Sequence, residues 1–219
     1  MGVTEPESVS IAAGRAREGE LLDAATSLFA ERGYGDADTQ ALVERMGVGK
    51  GTLYRYFASK KALFLAAVDR VMRRMTAQID ASVAGVEDPL ERIAVAIRAY
   101  LEFFATNPEY VELLIQERAL FRDREKPTYF AYRERNMVRW RELYRSLIYD
   151  GRIRDMPVEE ITEVLGHLVY GTMFTNYFTG QPKSSPEQAR EILDVVFYGI
   201  LSERERRRLV VQTPESKDS

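Results

Sequence analysis

Apolar residues in this chain recur every three to four positions, and no convincing stretch alternates with a period of two. That spacing restricts the fold to helices packed on helices. The punctuation agrees with it. Prolines stand near helix starts (Pro89, Pro108, Pro127, Pro157, Pro186) and glycines just past helix ends (Gly33, Gly151), as their fixed φ and free φ favour. The 45% hydrophobic and 30% charged residues are ordinary for a globular protein. The expected fold class is therefore all-α.

The first helix is expected from Arg15 to Arg32, with Leu21, Leu22, Ala25, Leu28 and Phe29 on one stripe and Gly33 closing it. Asp38 is placed to cap a short second helix carrying Leu42, Val43 and Met46. A turn at Gly47-Val48-Gly49 leads into a third short helix, Lys50 to Phe57. Ser59 is placed to cap a fourth, whose stripe runs from Leu63 to Met75. Asp88-Pro89-Leu90-Glu91 and Ser185-Pro186-Glu187-Gln188 read as capping boxes opening later helices, the last of which is expected to reach about Arg204. The divisions are a flexible tail over 1–14, a first domain over 15–75, a second over 76–204 and a tail over 205–219.

Composition removes several functions. Without cysteine there is no disulfide, thiolate nucleophile or thiolate-held metal. With His167 as the one histidine, a zinc site or a Ser-His-Asp triad has almost nothing to build on. No nucleophile–base pair, carboxylate dyad or phosphate loop is evident, so no enzyme, catalytic residue, metal or cofactor is expected. The polar start carries no signal segment, and Val164 to Phe178 is too short and too polar to span a bilayer. A cytoplasmic protein without a membrane partner is expected.

Charge is segregated. The net charge is −3, yet residues 15–74 hold 11 basic and 8 acidic side chains, a balance of +3 that leaves −6 for the remainder. From Met46 to Val68 there is no acid, while Lys50, Arg55, Lys60 and Lys61 are basic. Two short helices about a glycine turn are the geometry of a helix-turn-helix, here 38–57, whose second helix enters the major groove. Gly51 lets the backbone approach DNA, and Thr52 is short enough to touch a base edge. Tyr54 can bond a phosphate, Arg55 can read guanine or grip a phosphate, and Lys60 sits at a helix start where phosphate is favoured.

The run from Leu42-Val43 through Met46-Gly47-Val48, Gly51-Thr52-Leu53-Tyr54, Tyr56-Phe57 and Ser59-Lys60 to Leu63-Phe64 resembles the TetR family of bacterial transcriptional regulators. With Gly33-Tyr34 the likeness covers about 60 residues. Gly49 stands where that family often carries Ser or Thr, and Val43 and Met46 are larger than its usual alanines. The resemblance implies a three-helix DNA-binding domain, a linking fourth helix and a variable helical domain for ligand binding and dimerisation. It implies a homodimer on a palindromic double-stranded DNA operator, a repressor released by a small-molecule effector. The DNA contacts then fall on Lys50, Gly51, Thr52, Tyr54, Arg55, Tyr56 and Lys60.

The density of aromatics in the middle helices suggests a cavity for a hydrophobic or aromatic effector, near Tyr100, Phe104, Trp140, Tyr144, His167, Tyr170 and Phe174. Each is equally at home as core, and His167 as a structural histidine. Glu117, Arg118, Arg122 and Arg124 read as surface charges, with the alternative that one of them serves the pocket and so implies an anionic ligand. Val164 to Phe178 is apolar on nearly all faces and needs cover all round. With Ile192, Val195, Val196 and Tyr198 to Leu201 it suggests a four-helix dimer interface. The rival to a ligand-responsive repressor is a helical binding protein whose DNA motif is vestigial.

Overall fold

A computed structural model describes residues 5–180 and 183–199. Among them are nine α-helices and no strand: α1 Glu5–Asp36, α2 Thr39–Arg45, α3 Lys50–Tyr56, α4 Lys60–Val83, α5 Pro89–Thr106, α6 Pro108–Leu120, α7 Thr128–Tyr149, α8 Val158–Thr179 and α9 Ser185–Tyr198. The expected order and type of every helix is found.

Three boundaries differ. Helical backbone begins at Glu5, ten residues before Arg15. Pro6 falls in the first turn, where its missing N–H costs nothing. Within α1, Gly33 breaks the helix at φ 72°, ψ 162° as expected, but a further turn follows it. α9 stops at Tyr198, since Gly199 takes φ 73°. Leu201 and the stretch beyond it lie outside the described residues.

The caps follow the sequence closely. Asp38 accepts from Gln40 N at 2.7 Å and Ser59 from Ala62 N at 3.1 Å. Asp88 accepts from both Leu90 N and Glu91 N at 2.9 Å and pairs with Arg152. The α9 box sits one residue earlier than expected. Ser184 is its cap, with backbone N–H and Oγ both donating to Glu187, because the glutamate three residues on, not the proline, sets the register.

The core is one continuous cluster from Leu21 to Leu193. α4 is its axle, packing on α1 at its start and on α5, α6 and α7 further along. Phe64 lies wholly buried where these meet. Its ring sits 5.0 Å from Phe29, 5.3 Å from Tyr34 and 5.5 Å from Phe121. Polar links reinforce the junction. Gln116 of α6 donates to Phe29 O and accepts from Tyr34 N, bracketing the break in α1. Arg70 and Arg74 of α4 both grip Asp23 of α1, and Arg74 also reaches the Tyr110 hydroxyl. Partial burial pushes the Asp23 carboxyl up, but the two arginines outweigh it and hold it below its usual value. This link therefore contributes stability above the ordinary Asp pKa of about 4 and loses it as pH falls through the lowered one.

Glu117 is not the surface charge its sequence suggests. It is 1% exposed and accepts from Arg124, Thr128 N and Thr128 Oγ1. It thereby caps α7 in place of Pro127, which has no side-chain hydrogen bond to offer. Arg118 and Arg122 are exposed as expected. Glu117→Ala leaves a buried N–H and a partly buried guanidinium unpaired. The expected cost is about 2–3 kcal/mol, read as a lower midpoint in urea.

Candidate nucleic-acid interface and ligand cavity

α2 and α3 meet at a turn that Gly47 makes possible with φ 61°. Leu42, Val43, Leu53 and Phe57 are buried and seat the pair against α1 and α4. Arg17 adds a hydrogen bond to Met46 O at 3.2 Å, bracing the turn from α1. This leaves one face of α3 outward. Lys50, Gly51, Tyr54 and Arg55 are exposed, whereas Thr52 and Tyr56 are half-buried. A Cβ built on Gly51 meets nothing within 4 Å. Gly49 provides an extended N-cap without a side-chain bond, so the first N–H groups of α3 stay uncapped by side chains.

The charges on this face are uncommitted. Among the described residues neither Lys50 nor Arg55 joins an ion pair, and Arg55 rests 5.4 Å over the Tyr56 ring. The Tyr54 hydroxyl lies 3.5 Å from Thr39 Oγ1, at the long limit of hydrogen bonding. Lys60 differs from its neighbours. Its Nζ donates to Gly35 O at 3.0 Å and sits 5.0 Å over Tyr34. It fastens the end of α1 to the start of α4 with one of the three N–H groups of its ammonium.

The second half holds a cavity of about 130 Å³ between α4, α5, α7 and α8. Tyr100, Trp140 and Tyr144 line it, as the sequence suggests, and Tyr129 joins them. Four expected residues do not line it. Phe104 is turned into the core against Phe103. Tyr170 and Phe174 meet edge to face at 4.8 Å outside the lining, and Tyr170 packs obliquely on Tyr129 and Phe130. His167 is exposed. The inward face of α8 is carried by Thr162, Leu165, Gly166 and Val169. Helical geometry turns residue 167 away from that face toward Val164 and Leu168.

Burial pushes the hydroxyls of Tyr100, Tyr129 and Tyr144 well up, so all three are neutral donors. Tyr100 and Tyr129 bond each other at 2.9 Å. Arg133 also lines the cavity, a residue that sequence reading passed over. Its signal was there: it shares a stripe of α7 with Tyr129, Met137, Trp140 and Tyr144, at intervals of three and four.

Residues 21–67, which run from the middle of α1 to the first third of α4, match the model of the bacterial regulatory proteins of the tetR family. The transcriptional activator FasR of Mycolicibacterium smegmatis is 30% identical over 100 residues, 46% of each chain. The match thus spans about half the length of that relative. The transcriptional repressor KstR2 of Mycobacterium tuberculosis is 26% identical over 195 residues, 85% of this chain and 94% of that one. Among solved structures, the regulator FadR of Bacillus subtilis in complex with stearoyl-CoA superposes with a TM-score of 0.68, covering 83% of this chain and 98% of that chain at 18% identity. At that identity the likeness is one of fold. No helix among the described residues is long and apolar enough to cross a membrane. The matched segment contains the outward-facing α3 and its glycine turn, and over residues 21–67 the chain is similar to the bacterial regulatory proteins of the tetR family.

Proposed function

We propose that this chain is a ligand-responsive transcriptional repressor that binds a palindromic double-stranded DNA operator as a homodimer. The observation that carries the reading is α3 itself: an exposed helix with unpaired Lys50 and Arg55, no neighbouring acid in sequence and an open approach at Gly51. Lys50, Arg55 and Tyr54 serve as phosphate or base contacts, Gly51 as the point of closest approach, and Thr52 and Tyr56 as contacts at the edge of the face. Lys60 adds a phosphate contact while holding α1 to α4. Named relatives include both an activator and a repressor. Repression suits a chain whose effector cavity abuts α4, the helix that carries the DNA-binding half.

The dimer is supported by an apolar stripe on the outer face of α8. Val164, Leu168, Gly171, Thr175 and Phe178 recur at intervals of three and four, and Phe178 is 69% exposed. Val195 and Phe197 of α9 are likewise exposed apolar side chains. Such a surface is costly to leave wet, and the small Gly171 permits close helix approach. In a two-fold dimer the two α3 helices address half-sites one helical turn, about 34–36 Å, apart. Binding of purified protein to DNA upstream of its own gene, with a footprint of two related half-sites, is the test. Retention of no promoter fragment favours the vestigial-motif reading. Leu168→Glu with Phe178→Glu is expected to give a monomer by light scattering and to lose operator binding at least tenfold, since half-sites then bind one at a time.

An effector in the cavity touches Met72, Met75 and Ile79 of α4. Tilting α4 changes the separation of the two α3 helices, which the DNA cannot follow. A coupling of ~1–3 kcal/mol lowers operator affinity about 5–150-fold.

A further inference from the structure

The cavity between α4, α5, α7 and α8 is lined mainly by apolar and aromatic side chains, with Thr76, Asn136, Arg139 and Thr162 among them, and one residue stands out. Arg133 reaches in from α7. Its Nε is buried without a hydrogen-bond partner, and among the described residues no carboxylate pairs with its guanidinium. The cavity's other arginine, Arg139, is neutralised by Asp80. No Asp or Glu lines the space. A second polar atom is also left over: the hydroxyl of Tyr144, a residue 2% exposed, has no partner.

The seat of Arg133 is specific. A Cβ on Gly166 of α8 would lie 2.4 Å from its Nη2 and 3.0 Å from both Cζ and Nε. With glycine at 166 the guanidinium comes close against α8, and any larger residue there would push it aside. An unpaired guanidinium and an unpaired phenol in one apolar space are each expensive. The guanidinium is satisfied by a ligand group that accepts several hydrogen bonds and carries negative charge.

We propose that Arg133 is the head-group receptor of this cavity, and that the effector is a small organic carboxylate. Its carboxylate pairs with the Arg133 guanidinium, a planar fork suited to two parallel N–H···O bonds. The apolar body lies among Met72, Ile97, Tyr100 and Trp140. At about 130 Å³ the space suits a body near the size of one aromatic ring, since a void of about 150 Å³ takes up benzene. An aryl-acetic acid or a short alkanoic acid of roughly ten heavy atoms fits these limits. The inference rests on the cavity being the effector site of the regulator proposed above.

The test uses the full chain and four probes: phenylacetate and octanoate, each against its alcohol, 2-phenylethanol and 1-octanol. Binding is followed by calorimetry and by fluorescence of Trp140, the one tryptophan, which lines the cavity. Each acid is expected to bind at least tenfold tighter than its alcohol. Arg133→Met, which keeps the stem and removes the charge, is expected to bring acid down to the level of alcohol while leaving the alcohol unchanged. It should not lower the Tm of the free protein, because the buried Nε it removes has no partner to lose. Gly166→Ala, which displaces the guanidinium without deleting it, should weaken the acid alone. Equal binding of acid and alcohol by the natural chain, or unchanged acid binding in Arg133→Met, overturns the proposal. So does octanoyl-CoA binding where octanoate does not, which would give the site to thioesters. Promoter DNA separates the two readings. DNA binding without carboxylate binding leaves the regulator standing and removes this effector class; carboxylate binding without DNA binding does the reverse.

Discussion

Gly51→Glu is expected to abolish operator binding while the protein stays folded. The position faces solvent, and a side chain there meets nothing within 4 Å. Glutamate is also the better helix former, by a few tenths to one kcal/mol. At the DNA surface the same change sets a carboxylate against phosphates and holds the backbone off. Like charges so placed cost several kcal/mol, and about 3 kcal/mol is a loss of more than a hundredfold. Anisotropy titration with labelled promoter DNA reads the affinity, and a thermal melt followed by circular dichroism reads the fold. Full affinity in Gly51→Glu would mean that α3 is not the reading helix. Loss of both affinity and Tm would mean that the glycine serves the fold rather than the DNA.

Phe64→Ala is expected to be the most destabilising single change at the junction of the two halves. Its ring is wholly buried and touches aromatic partners from α1 and from the segment after α6. Emptying such a site costs about 3–5 kcal/mol, against a total of roughly 5–15 kcal/mol for a domain. Urea unfolding should show the midpoint fall with the slope retained. Phe178→Ala, at an exposed ring, is the contrast, with an expected change within about 0.5 kcal/mol in the isolated subunit. An equal response at the two positions would mean that the junction is loosely packed.

The helical architecture was legible because each helix announces itself twice, by its stripe and by its ends. Asp38, Ser59 and Asp88 cap where their side chains predict. The helix-turn-helix was legible for a stronger reason: glycine turn, aromatic pair and basic run must all coincide within 20 residues. The cavity was harder. Residues of one helix can be sorted by face, but which face a neighbouring helix covers depends on packing angles that no single stripe fixes. Phe104 and Trp140 are both large, aromatic and correctly spaced, yet one fills the core and the other lines the void. His167 and Gly166 are adjacent in sequence and on opposite sides of the α8 wall. Charges misled for a similar reason. Glu117 carries no mark in sequence that separates it from a surface residue, since burial of a charge is decided by partners distant in the chain, and the stripe that holds Arg133 does not say which helix covers it.

The unbroken core from Leu21 to Leu193 has a consequence for the division into a reading half and a sensing half. α4 belongs to both, lending Leu63, Phe64 and Val68 to one and Met72, Met75 and Ile79 to the other. The two halves share labour without sharing out stability. A cut near residue 75 frees no self-sufficient reading module, because each piece would keep only part of the helix both need. Exchange of sensing halves among such proteins therefore succeeds only when α4 travels whole with one partner and its opposite face is recut to suit the other.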